Sequence, residues 1–144
     1  MPPTIIPFLT VKSVDASVEF YTKKLGFKVN EATLMPGQYA HIYLGDELCD
    51  NSAQIMFHPP GPAGAPPGTP PGDRPHAPSE LLIQLLETGK GKEVVDEWHD
   101  KIVKLGVEAK EKPEDKPWNC RQAIFNDPDG NDLMFYFWLG PPAS

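Results

Sequence analysis

Cysteine is scarce in this chain: Cys49 and Cys120 stand far apart and form no CxxC pair. A disulfide framework and a zinc ribbon are therefore excluded, and the reduced thiols of a cytoplasmic protein are expected. Long apolar runs are missing as well. No stretch approaches the roughly eighteen residues of a membrane span, and Met1 to Pro7 carries neither the basic nor the apolar segment of a secretion signal, so no membrane partner is expected. Basic residues are few, thirteen against twenty acidic ones, for a formal net charge of -7. A surface that binds phosphates needs clustered Lys and Arg, so nucleic acid is not expected as a partner either. The glycines at 61, 64, 68 and 72 lack a three-residue period, which excludes collagen.

What is present is a chain of 144 residues, 40% hydrophobic, enough for a single compact domain over residues 1–144 with its own core. Much of it is said twice. Val14, Val18, Leu25 and Gly26 recur as Val94, Trp98, Leu105 and Gly106, and Ile55-Met56-Phe57-His58 recurs as Leu133-Met134-Phe135-Tyr136. A period of about half the chain means duplicated modules rather than a solenoid.

Module one, residues 4–58, reads as a strand from Ile5 to Val11, then a helix capped by Ser13 and stopped by Gly26. Strands at 28–33, 39–44 and 54–58 follow. Module two, 79–139, repeats the order with a strand at 81–86, a helix at 93–105 and strands at 107–110, 120–126 and 133–138. The fold class is α+β, in two tandem βαβββ modules. Between them, nine of the twenty residues from Pro59 to Pro78 are proline, which predicts a semi-rigid tether or a flap beside a pocket. A proline-rich ligand for another domain is a further reading of the same segment. The run Asp127-Pro128-Asp129-Gly130-Asn131 is a tight turn. As a calcium loop it lacks a glycine at the sixth position and a glutamate at the twelfth, where Asp132 and Trp138 stand.

Pro7-Phe8-Leu9-Thr10-Val11, the helix holding Phe20-Tyr21, and Leu25-Gly26-Phe27 resemble the vicinal oxygen chelate superfamily. Pro117-Trp118-Asn119-Cys120-Arg121 leading into Asp127 to Asn131 carries the same likeness. It is nearest to the glyoxalase, bleomycin-resistance and dioxygenase group, and within that to the metal-free drug-binding proteins. The resemblance implies curved mixed sheets that form a cup, with helices on the convex side, and a homodimer. In metal-dependent members four ligands come from the first and last strand of each module. Carried over, these fall on Ile6, Met56, Met134 and either Leu81 or, one register along, Glu80. A thioether is too soft a donor for Zn²⁺, Ni²⁺, Fe²⁺ or Mn²⁺, so no metal and no cofactor are expected.

Strand alternation assigns the rest. Leu9, Val11, Ile42, Leu44, Ile55, Phe57, Leu133, Phe135 and Phe137 suit the helix-covered side. Ile6, Phe8, Thr10, Tyr39, His41, Tyr43, Gln54, Met56, His58, Gln122, Met134, Tyr136 and Trp138 take the cup side. Aromatics, adaptable methionines and single polar groups are the composition of a small-molecule pocket. Phe8, Tyr43, Met56, Trp118, Met134, Tyr136 and Trp138 are the candidate ligand-binding residues, with Trp118 either over the rim or pinning its own loop. His41, His58 and Glu80 are the candidate catalytic groups, because neutral imidazole serves as acid, base or ligand. Trp98 belongs to the core, and His76 and His99 to solvent. Cys120 lacks the neighbours that activate a thiol. The expected function is metal-independent binding and sequestration of a drug-like or antibiotic-like small molecule. The alternative is a lyase, isomerase or dioxygenase of the same superfamily, working through His41 and His58 or a metal at other positions.

Overall fold

A computed structural model describes residues 5–49, 52–59 and 79–140. The chain divides after Ala77 into two compact units. Each is a βαβββ module, so the fold is α+β with two tandem modules.

Unit one runs β1 (Phe8–Thr10), α1 (Val14–Lys23), β2 (Lys28–Val29), β3 (Ala40–Leu44) and β4 (Ala53–His58). Its sheet has the order β1-β4-β3-β2, with β1 parallel to β4 and the other pairs antiparallel. Helix α1 starts where Ser13 accepts a hydrogen bond from the Ala16 amide at 3.1 Å, and it carries Asp15 in its first turn and Lys23 in its last. These satisfy one orphan amide and oppose the helix dipole. Gly26, at φ +78°, turns the chain back so that Phe27 N–H meets the Tyr21 carbonyl at 3.0 Å. Tyr21 is fully buried, with the Phe57 and Phe27 rings 5.0 and 5.4 Å away. A buried ring of this kind contributes on the order of 2–3 kcal/mol through area alone. Strand β2 is shorter than its sequence predicts because Asn30 starts a turn, its side-chain oxygen taking the Ala32 amide at 3.2 Å.

Unit two runs β5 (Glu80–Gln84), α2 (Glu93–Lys104), β6 (Ala109–Lys116), β7 (Cys120–Asn126) and β8 (Asp132–Trp138), in the sheet order β5-β8-β7-β6. Strand β6 extends past the predicted residue 110 and takes in Pro113. It is an edge strand with two register irregularities, so the missing proline amide breaks no ladder. The helices differ in detail: Leu25 is fully buried, whereas its repeat partner Leu105 is 40% exposed and Ile102 fills the core instead. Trp98 packs on Phe135 at 5.1 Å, as a core residue should. His99 is a correction, since its side chain is mostly covered, with its ring 5.9 Å from that of Phe125 and Nδ1 3.1 Å from Asp100.

The turn at 127–131 is held from inside. Asp127 Oδ1 accepts from the Asp129 and Asn131 amides at 2.9 Å each, and Oδ2 from Asn131 Nδ2 at 2.7 Å. Asn131 Oδ1 then takes the Ser79 amide at 2.7 Å, which ties the start of β5 to the start of β8. The carboxylate is thus used as a structural acceptor. The proline-rich segment lies outside the described residues from Pro60 onward, as does His76. Among the described residues no helix is long and apolar enough to cross a membrane.

Arg121 clamps α2 to the sheet, giving Asp96 a two-pronged contact at 2.7 and 2.8 Å and Asp115 one at 2.9 Å. Its hydrogen bonds hold the Asp96 carboxyl below the ordinary carboxylate range. A carboxylate of depressed pKa stabilises the fold fully above its unfolded value of about 3.9 and loses that contribution as pH falls through the folded value. Screening at this half-exposed pair limits the effect to about 1 kcal/mol. Asp96→Asn is expected to lower stability to urea at pH 7 by about that amount. It should also flatten the loss of stability that the parent protein shows below about pH 4. Parallel unfolding curves for the two proteins across that pH range are the check.

Candidate functional site

In each unit the helix covers one sheet face, as the Tyr21–Phe57 and Trp98–Phe135 contacts show. The opposite face carries no helix of its own unit, and pairing register places the candidate residues on it in rows, from exposed Phe8, Leu82 and Trp138 to buried His41 and Gln122. In unit one Phe8 lies opposite Met56 and Met56 opposite His41, Thr10 opposite His58, and Tyr43 opposite Gln54 and Lys28. In unit two Leu82 lies opposite Met134 and Met134 opposite Ile124. Gln84 and Gln122 flank Tyr136, and Cys120 lies opposite Trp138. Of the helix-side set, Leu9, Val11, Ile42, Ile55, Phe57, Leu133 and Phe135 are buried, whereas Leu44 and Phe137 are only half-buried.

The open face of unit one carries a linked cluster. The Tyr39 hydroxyl donates to Met56 Sδ at 3.1 Å, and Phe8, 45% exposed, sets its ring 4.5 Å from His58 and 6.2 Å from Tyr39. The two histidines do different jobs. His41 is buried with Nε2 2.8 Å from Gln54 Oε1 and Nδ1 3.4 Å from Asn30 Nδ2. Asn30 is oriented because its oxygen takes the Ala32 amide, and Gln54 because its nitrogen donates to the Cys49 carbonyl at 3.3 Å. His41 therefore donates from Nε2 and accepts at Nδ1, and both ring nitrogens are committed to structure. His58 has Nδ1 2.8 Å from the Pro59 carbonyl, which can accept but not donate, so Nδ1 carries the proton. Its Nε2 lone pair meets the Thr10 hydroxyl at 3.1 Å. That is a base oriented by a carbonyl, with a rotatable hydroxyl in front of it.

The fit of a metal follows from the same registers. Ile6 lies two residues before Phe8, the partner of Met56, and Glu80 two residues before Leu82, the partner of Met134. The duplication thus equates Ile6 with Glu80, and Leu81 turns to the helix side opposite Leu133. The four positions hold a hydrocarbon, one exposed carboxylate and two thioethers, a set that does not suit a hard or borderline divalent ion. Met56 Sδ is moreover the acceptor of the Tyr39 hydroxyl. Among the described residues no group of three or more His, Cys, Asp and Glu is placed to hold a metal.

Unit two presents its aromatics more openly, with Trp118 61% and Trp138 55% exposed. Trp118 sits on the β6–β7 hairpin, whose turn takes Asn119 to φ +60°. Its Nε1 donates to Gln122 Oε1 at 3.3 Å, so it pins the hairpin and still presents a ring. Met134, Tyr136 and Tyr43 are half-buried on their faces. Burial pushes the Cys120 thiol up, the opposite of activation. The hydrogen-bonded role of Gln122 in this face was not separated from simple alternation by the sequence, because its partner Trp118 reaches it across a turn.

The partners assigned to the two imidazoles predict opposite tautomers, Nε2–H for His41 and Nδ1–H for His58. Long-range ¹H–¹⁵N spectra at neutral pH are expected to show one of each; two rings of the same tautomer would overturn the assignment.

Comparison with known proteins agrees with this fold. Among solved structures, a glyoxalase/bleomycin resistance protein/dioxygenase from Nocardioides is 26% identical with a TM-score of 0.69, covering 100% of this chain and 90% of its own. TioX from Micromonospora sp. ML1 is 17% identical with a TM-score of 0.67, over 96% of this chain and 100% of that one. Lactoylglutathione lyase from Agrobacterium tumefaciens is 19% identical with a TM-score of 0.65, over 94% and 95%. The search of curated protein sequences found no match. Residues 5–135 match the pattern of one family, and the chain belongs to the Glyoxalase/Bleomycin resistance protein/Dioxygenase superfamily.

Proposed function

We propose that this protein binds and sequesters a drug-like or antibiotic-like small molecule without a metal, in the manner of the bleomycin-resistance branch. The observation that carries the reading is the donor set Ile6, Met56, Glu80 and Met134 at positions that mirror one another in the two units. Metal chemistry asks for imidazole and carboxylate there. The open faces around those positions keep the aromatic and methionine lining of a binding surface, with Phe8, Tyr39 and Met56 in one unit and Tyr136, Trp118 and Trp138 in the other. A glyoxalase/bleomycin resistance protein/dioxygenase and a lactoylglutathione lyase resemble the chain with similar TM-scores, so fold alone does not choose between binder and enzyme. A homodimer and a cytoplasmic place complete the proposal, the latter in keeping with two free cysteines.

A second reading, an enzyme of the same superfamily acting without metal, is favoured by His58 alone. The Pro59 carbonyl orients its ring and its Nε2 lone pair is held by nothing stronger than the Thr10 hydroxyl. His41 and Glu80 gain no such support, since the amides of Asn30 and Gln54 occupy His41 and Glu80 is exposed at the start of β5.

Native mass spectrometry of freshly purified protein separates the readings. A particle of twice the 15.9 kDa chain that carries an intact organic ligand, released unchanged, is the expected result. Conversion of the released compound by the protein, lost in His58→Gln, would replace the binding reading with the enzymatic one.

A further inference from the structure

Gln122 lies in the middle of β7 with 3% of its surface exposed, and its neighbours fix which way its amide points. The indole N–H of Trp118 at 3.3 Å and the thiol of Cys120 at 3.7 Å both meet Oε1. An indole nitrogen donates and never accepts, so the oxygen faces Trp118 and the NH₂ end faces away. The Nε2 hydrogens meet no acceptor among the described residues. Nor does Nε2 belong with the sealed, unpartnered atoms, among which Trp98 Nε1 is found. Nε2 therefore keeps contact with solvent, where its donors can exchange water for an acceptor on a ligand.

The surroundings define that acceptor. Gln122 lies opposite Tyr136 in β8, and Trp138 is one row away opposite Cys120, so the spare donors share the open face with exposed rings. Glu114 lies opposite Gln122 in β6. The nearby cation, Lys116, is held by Glu111 and Glu114 and sits 5.8 Å over the Trp118 ring. A carboxylate ligand would meet Glu114 without a free cation to offset it. A neutral carbonyl meets no such repulsion.

We propose that the open face of unit two holds a subsite for a planar aromatic ligand bearing a neutral carbonyl. The carbonyl oxygen accepts from Gln122 Nε2, and the ring lies against the Trp118 and Trp138 side chains. The proposal rests on the small-molecule-binding reading and narrows its ligand class.

The test titrates the full-length protein with 1-methylquinolin-2-one, which has a carbonyl acceptor and no donor, and with 2-naphthoate as the anionic counterpart. The Gln122 side-chain amide pair in the ¹H–¹⁵N spectrum is the reporter, identified by its loss in Gln122→Glu, which keeps the shape and the acceptor toward Trp118. The lactam is expected to shift that pair saturably and to quench tryptophan emission. Its affinity should fall roughly tenfold in Gln122→Glu, the worth of one hydrogen bond. Naphthoate should bind several-fold more weakly than the lactam. An unmoved amide pair at millimolar lactam, an unchanged affinity in the variant, or naphthoate binding as tightly would each overturn the proposal. Should Gln122→Glu fail to fold, the shift of the parent amide pair and the lactam-to-naphthoate ratio decide. A retained ligand in native mass spectrometry with the Gln122 pair unmoved sinks this subsite and leaves the binding reading standing.

Discussion

Everything in either unit depends on the parallel pairing of its first strand with its last. A parallel neighbour requires a crossover, and helices α1 and α2 supply it, which places each helix on one face and reserves the other. Because side chains alternate along a strand, that one pairing decides which residues are core and which are available to a ligand. Phe57 and Phe135 go to the helices. Met56 and Met134 go to the open faces in matching registers, opposite Phe8 and Leu82. The Asp127–Asn131–Ser79 chain of hydrogen bonds locks the pairing in unit two at its end, where β5 and β8 begin together.

Polar groups on the open faces divide by what their neighbours leave them. His41 is committed at both nitrogens, and Asn30 and Gln54 are themselves held, so its contribution is rigidity. His58 keeps one nitrogen for exchangeable partners. Gln122 spends its oxygen on Trp118 and Cys120 and keeps its amide hydrogens. The same count of donors and acceptors thus separates fully committed side chains from those that keep an atom for exchangeable partners.

Alternation and duplication made much of the fold legible in the sequence. The Ser13 cap, the Gly26 and Gly106 stops and the parity of Ile55-Met56-Phe57-His58 each have a local cause, and local causes can be read from a string of residues. Three features escaped because their causes are tertiary. The short β2 results from the Asn30 side chain taking the Ala32 amide, the long β6 tolerates Pro113 because no described strand pairs its outer edge, and Ile102 rather than Leu105 fills the core. His99 looked solvated beside Asp100 until Phe125 proved to lie under its ring. In the candidate site, the faces were legible and the hydrogen-bond partners were not. Alternation placed His41 and His58 on one face, whereas the Pro59 carbonyl and the Gln54 amide, which distinguish them, depend on side-chain direction.

The central claim is chemical: the duplicated fold persists while two thioethers and a hydrocarbon stand where a metal would need harder donors. Calorimetric titration of chelator-free protein with Ni²⁺, Zn²⁺ and Mn²⁺ addresses it most directly. Heats of dilution with no saturable binding are the predicted result. One ion per chain at micromolar affinity, abolished by Glu80→Gln or Met56→Leu, would contradict the account.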